Sequence, residues 1–124
     1  MSDKKIAIVE DEAIVAMDIS NTLVSAGYDV VFIVDSGEDA ISKLDPIIPD
    51  LILIDVELKG RLNGIATVCE IRKKYNIPVI FLTGYEDEKI LAELSEVSNS
   101  DYIIKPFQEL TLLETIKRLI HASE

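Results

Sequence analysis

Five short apolar runs, rich in β-branched residues, alternate along this 124-residue chain with longer stretches of helical period. The runs are Lys5–Val9, Val30–Ile33, Leu51–Ile54, Val79–Leu82 and Asp101–Ile104. Between them, Glu12–Ala26 is amphipathic and stops at Gly27, a residue suited to the left-handed backbone just past a helix end. Ser36–Leu44 predicts a short helix capped by Ser36, with Pro46 beyond its end. Gly64–Tyr75 carries Ile65, Val68, Cys69 and Ile71 on one side, and Asn63 is placed to cap it. Glu86–Val97 opens with Glu86, Asp87 and Glu88, acids suited to the positive end of a helix dipole. Phe107–Ala122 repeats Leu110, Leu113, Ile116 and Ile120 at helical spacing. Strands alternating with helices of this length predict the α/β class, a doubly wound parallel sheet of five strands with helices on both faces. The unbroken LILI of 51–54 is what a central parallel strand, buried on both faces, requires.

The length suits one domain spanning residues 1–124. With 48% apolar and 28% charged residues, the composition is that of a folded globular protein and not a disordered chain. The net charge of −11 repels nucleic acid and anionic membrane, so neither is expected as a direct partner. Cys69, the single cysteine, excludes an internal disulfide and is expected to act as a small buried hydrophobe. The opening MSDKKIAIVEDE lacks the apolar core of a signal peptide, and no run approaches the ~20 apolar residues of a membrane span. A cytoplasmic location is therefore expected.

Open parallel sheets bind ligands beyond the carboxyl ends of their strands, where the winding direction reverses. Following the five runs in turn stand Glu10, Asp11 and Glu12; Asp35; Asp55; Thr83 and Gly84; and Lys105 with Pro106. A strand order of 2-1-3-4-5 would bring Glu10, Asp11, Asp55, Thr83 and Lys105 to one pocket. Singly, each acid or threonine is also a fair helix cap, Lys105 an ordinary solvated lysine and Pro106 an ordinary helix starter. Jointly they are chemically complementary. Three carboxylates repel unless a cation joins them or a proton does. Magnesium, a hard ion that takes oxygen ligands and keeps its waters, suits them best. Lys105 adds a point charge for a phosphoryl oxygen, and Thr83 adds a hydroxyl. Such a pocket is suited to placing a phosphoryl group on a carboxylate.

Over essentially its whole length the chain resembles the receiver domain of two-component response regulators. The motifs that carry the resemblance are IVEDE at 8–12, LILIDVEL at 51–58, NG at 63–64, VIFLTG at 79–84 and DYIIKPF at 101–107. The resemblance implies the flavodoxin-like strand order 2-1-3-4-5. It further implies that Asp55 is the phosphoacceptor, phosphorylated by a phosphohistidine of a sensor histidine kinase. Mg2+ (or Mn2+) would be bound by Asp11, Asp55 and the backbone carbonyl of Glu57, with Glu10 acting largely through water. Thr83 and Lys105 would hold phosphoryl oxygens, Thr83 and Tyr102 would form a conformational switch, and the Lys105–Pro106 bond would be cis. The domain would catalyse only its own phosphorylation and dephosphorylation. It would signal to an unidentified output partner at the face formed by helix 86–97, strand 101–104 and helix 107–122, around Leu91, Glu93 and Tyr102.

The chain departs from the common family pattern in three places. Glu10 stands where aspartate is commoner. The loop VELKGRLNG is one residue longer than usual, with Lys59 in place of a frequent proline, a form that resembles receivers found beside PAS domains and histidine kinases. Ser98–Asn99–Ser100 occupies the place of a Gly–Ala pair. Rival readings fare worse. A flavodoxin-like flavin binder needs a Ser/Thr/Gly-rich phosphate loop where this chain has Glu10–Asp11–Glu12. A haloacid-dehalogenase-like phosphatase needs a second aspartate where Glu57 stands. A receiver-like interaction module that is never phosphorylated has no need of the intact acceptor, metal and lysine set. His121, the single histidine, falls near the end of the last helix, so the phosphoryl donor is expected to be another protein.

Overall fold

Each apolar run forms a strand and each periodic stretch a helix, in a computed structural model that describes residues 4–84 and 88–122. The strands are β1 (Lys5–Val9), β2 (Asp29–Val34), β3 (Leu51–Asp55), β4 (Val79–Thr83) and β5 (Ser100–Ile104). The helices are α1 (Ala13–Ser25), α2 (Gly37–Lys43), α3 (Gly64–Ile71), α4 (Glu88–Ser95) and α5 (Glu109–Ala122). Glu86 and Asp87, expected to open the fourth helix, lie outside the described residues. All pairings are parallel and the strand order is β2-β1-β3-β4-β5, as expected.

Alternate residues of each inner strand serve the two faces of the sheet. Ile6, Ile8, Leu51, Leu53, Ile80 and Leu82 pack with Ala16, Ile19 and Leu23 of α1 and Leu112, Ile116 and Ile120 of α5. Ala7, Val9, Ile52, Ile54, Val79 and Phe81 pack on the other side with residues of α2, α3 and α4, among them Ala40, Val68, Ile71 and Leu94. Every residue of β3 and of β4 is buried, so LILI is the doubly covered strand that its sequence predicts.

The caps form as their sequences suggest. Ser36 Oγ accepts from the Asp39 N–H at 3.1 Å and Asn63 Oδ1 from the Ala66 N–H at 2.8 Å. Gly27, at φ +93°, closes α1 while the Tyr28 N–H reaches back to the Leu23 carbonyl at 3.0 Å.

Some expectations are corrected. Cys69 is exposed, not buried. The stripe of α3 that faces the sheet is Gly64, Thr67, Val68 and Ile71, so Cys69 projects away from it. Leu110 is 64% exposed, and Leu112 takes the core position expected of it, four residues before Ile116. The third helix ends at Ile71, not Tyr75: past it the Lys73 and Lys74 N–H groups turn to carbonyls three residues back, and the Arg72 guanidinium meets the carbonyls of Ile77, Ser98 and Asn99. The fifth helix begins at Glu109, two residues later than expected. Strands three and four run one residue further than their apolar runs, taking Asp55 and Thr83 into the ladder opposite Leu82 and Ile104.

Candidate functional site

The strand order and the reach of Lys105 bring together residues at the ends of β1, β3 and β5. Glu10 and Asp11 follow β1, Asp55 ends β3, and Lys105 follows β5. One carboxylate oxygen from each of Glu10, Asp11 and Asp55 lies within 4.8 Å of the others. Lys105 Nζ sits between two of these acids, 2.8 Å from Glu10 Oε1 and 3.1 Å from Asp55 Oδ2. Glu10 and Asp55 are buried, with 2% and 4% of their surface exposed, and Asp11 forms the half-buried rim.

Several backbone donors aim the carboxylates. Asp55 Oδ1 accepts from the Glu57 N–H at 2.9 Å, which leaves Oδ2 for the ammonium. Glu10 Oε2 accepts from the Glu12 N–H at 3.3 Å, and Asp11 Oδ2 from the Lys59 N–H at 3.2 Å. Gly64 lets the N-terminus of α3 close against the end of β3. A Cβ there would collide with the Asp55 carbonyl oxygen and lie 2.8 Å from Val56 Cα. The Gly64 N–H meets the Val56 carbonyl at 2.9 Å. Asn–Gly at 63–64 is thus a cap followed by a contact that only glycine allows.

Burial, opposed by the hydrogen bond from Lys105 and reinforced by neighbouring Asp55, pushes the Glu10 carboxyl up to about 7 from its ordinary 4.5. Burial works against the Lys105 ammonium, yet its hydrogen bonds to Glu10 and Asp55 prevail and hold its pKa above the ordinary lysine value. An ammonium shared by two buried carboxylates marks a place that demands positive charge.

The donor set fits a small divalent cation. Mg2+ takes six oxygen ligands and keeps several waters, and three carboxylate oxygens within 4.8 Å of one another could draw in around it. Glu10, Asp11 and Asp55 would supply oxygens, and Asp55 also holds the N–H of Glu57, the residue whose carbonyl is the further expected donor.

Thr83 is fully buried at the end of β4, and its backbone carbonyl accepts from the Lys105 N–H at 2.7 Å. The Lys105–Pro106 peptide bond is cis, as is Asp45–Pro46. Tyr102 is half-buried, pairs with Phe81 across the β4–β5 ladder and packs against the core shared with α4. Phe81 and Thr83 are two residues apart and share a sheet face, so Thr83 and Tyr102 lie on the same side. Of the other residues assigned to the output face, Leu91 is half-buried and Glu93 exposed.

Two features escape the sequence reading. Ile14 and Met17 project from α1 with 85% and 60% exposure, and line a groove with Pro106 and Phe107 directly beside Lys105. Their three-residue spacing is a legible signal, but it is the same spacing that marks a buried face. The carboxylate hydrogen bonds to the Lys59 and Leu62 N–H groups involve backbone and leave no mark in the sequence.

Comparison with known proteins agrees with this geometry. The signal receiver domain of a modulated diguanylate cyclase from Desulfovibrio desulfuricans G20 is 33% identical, with a TM-score of 0.88 over 98% of this chain and 96% of that one. The N-terminal domain of a response regulator/sensory box/GGDEF three-domain protein from Carboxydothermus hydrogenoformans is 33% identical, with a TM-score of 0.87 over 97% and 96%. The signal receiver domain of a signal transduction histidine kinase from Syntrophus aciditrophicus is 30% identical, with a TM-score of 0.84 over 96% and 91%. The sequence profile of the response regulator receiver domain matches residues 6–117. With the parallel five-stranded sheet and the acid–lysine pocket at its carboxyl edge, that match establishes that the chain belongs to the response regulator receiver domain family.

Proposed function

We propose that Asp55 accepts a phosphoryl group from a phosphohistidine of a sensor histidine kinase, in a magnesium-dependent reaction, and that the new charge switches a face of the domain toward an output partner. The observation that carries this reading is Asp55 itself, a buried carboxylate with Lys105 Nζ at 3.1 Å and two further carboxylates within ligand distance. An Asp55 carboxylate oxygen attacks phosphorus and the phosphorus–nitrogen bond breaks. The bonding pair leaves with the imidazole, and the product is an aspartyl phosphate. Oxygens of Asp11 and Asp55, with the Glu57 carbonyl and with Glu10 acting largely through water, would hold a divalent cation, which when bound offsets the phosphoryl charge. The Glu57 N–H fixes the rotamer of Asp55, and Lys105, already on that carboxylate, is placed to follow the incoming anion. Thr83 supplies a hydroxyl to a phosphoryl oxygen. The domain acts on no other substrate in this scheme. The apolar α1 face of Ile14 and Met17, bordering Lys105 and Phe107, offers the donor protein a seat from which its phosphohistidine reaches Asp55.

Incubation with radiolabelled acetyl phosphate tests the reading. Wild type should take up acid-stable, alkali-labile label only with magnesium or manganese, and Asp55→Asn should take up none. Undiminished labelling of Asp55→Asn would remove Asp55 from its role. A wild type that never labels would leave the chain as an unphosphorylated interaction module.

A further inference from the structure

The loop after Asp55 is tied down by three carboxylates, and only two of them belong to the pocket. The Glu57 N–H meets Asp55 and the Lys59 N–H meets Asp11. The third tie comes from another element: Glu38, in the first turn of α2, accepts the Leu62 N–H on Oε1 at 3.1 Å. Its other oxygen, Oε2, faces Gly60, where a Cβ would lie 3.4 Å away. Gly60 has φ +105°, a backbone that disfavours any other residue, so the loop turns sharply at the point the Glu38 carboxylate covers. Leu62 packs close to the same helix turn, since a Cβ on Gly37 would lie 3.2 Å from Leu62 Cβ.

We infer that Glu38 is a positioning residue for the cation site. It clamps the far end of the loop 57–62 and thereby fixes the carbonyl of Glu57 and the Lys59 N–H that orients Asp11. This inference rests on the reading that Glu10, Asp11 and Asp55 bind a divalent cation, and adds a residue that touches neither the cation nor the acceptor. Loops of this length sample many arrangements unless both ends are held. One end is held by β3; the other is held by Asn63 at the cap of α3 and, one residue earlier, by Glu38. Outer carboxylates that orient ligands act this way in metal sites generally, where their loss typically weakens metal affinity by about 10–100-fold. Glu38 is exposed, so its share should fall at or below the lower edge of that range.

The test is magnesium titration of the whole domain followed by amide NMR, for wild type, Glu38→Gln and Glu38→Ala. Both variants lose the same charge, but glutamine keeps a carbonyl oxygen able to accept the Leu62 N–H. Glu38→Ala should weaken magnesium binding by about threefold to tenfold and move the Leu62 and Lys59 amide resonances, with the metal-free melting temperature nearly unchanged. Glu38→Gln should recover most of the affinity. Equal weakening in both variants would reduce the effect to charge and overturn the positioning role, as would full affinity in Glu38→Ala. Absence of magnesium binding to wild type would strike the underlying cation-site reading itself, and the inference with it.

Discussion

At the scale of single residues, the pocket holds its charges in tension. Two buried carboxylates share one ammonium, and a third stands within metal reach. Glu10 carries a clear penalty for its charge, its carboxyl being pushed up to about 7, first by burial. The folded state therefore favours the protonated form more than the unfolded chain does. Stability from this group is full below about pH 4.5 and is lost as pH rises through about 7. Lys105, whose pKa is also raised, keeps its contribution across that window and loses it only as pH rises beyond the ordinary lysine value. Without divalent metal, wild-type stability should thus fall relative to Glu10→Gln between about pH 4.5 and about 7, at a slope no steeper than about 1.4 kcal/mol per pH unit. Saturating magnesium should reverse the trend, because the cation prefers the deprotonated carboxylate. Urea unfolding across this range, with and without metal, reads the difference directly. A metal-free pair of curves that stay parallel would show that Glu10 does not titrate there.

At the scale of elements, legibility followed the kind of force involved. The strands were legible because burial on both faces demands continuous apolar residues, and LILI and VIFL supply them. Ser36 and Asn63 were legible as caps because a short polar side chain there meets an N–H within three residues. Cys69 was misplaced because α3 buries a glycine and a threonine, so apolar spacing alone sets the wrong phase. Thr67 is fully buried, and its hydroxyl returns to the Asn63 carbonyl at 2.8 Å, a local solution that hydropathy does not register. The pocket residues were legible because they follow strands whose order brings them together. The loop clasp was not, since backbone N–H groups carry no residue identity. The α3 start also shows how an element constrains the site. Gly64→Ala would push a methyl group into the backbone of Asp55 and Val56, which cannot yield as a side-chain end does. It should cost about 2–4 kcal/mol and shift the Asp55 carboxylate, so urea midpoint and magnesium affinity fall together. Wild-type values for both would mean that α3 pivots away without disturbing β3.

At the scale of the whole molecule, the proposed function requires charge placed on Asp55 at the end of β3 to reach a surface two strands away. Phosphorylation adds about −1.5 to −2 charge, and a domain responds only through an element with two arrangements. The proposed switch assigns that role to the β4–β5 ladder. Thr83 is buried with its side chain on the same sheet face as Tyr102, and Tyr102 packs against the core that α4 shares. A threonine hydroxyl drawn to a phosphoryl oxygen vacates space along that face, and the half-exposed tyrosine ring is the neighbour free to fill it. The groove between β5 and α5, lined by Tyr102, Thr111 and Arg118, would change shape with it. Arg118 of that groove pairs with Asp101 at 2.8 Å. Beryllofluoride with magnesium, a stand-in for the phosphoryl group, should therefore move amide resonances through β5, α4 and the start of α5 as well as in the pocket loops. On the proposed switch, Thr83→Ala should bind the same mimic yet confine the shifts to the loops, because the hydroxyl assigned to couple pocket and ladder is gone. If Thr83→Ala transmits the change to Tyr102 as fully as wild type, the signal travels by another route. Wild-type shifts that stop at the loops would make Tyr102 a static strand aromatic.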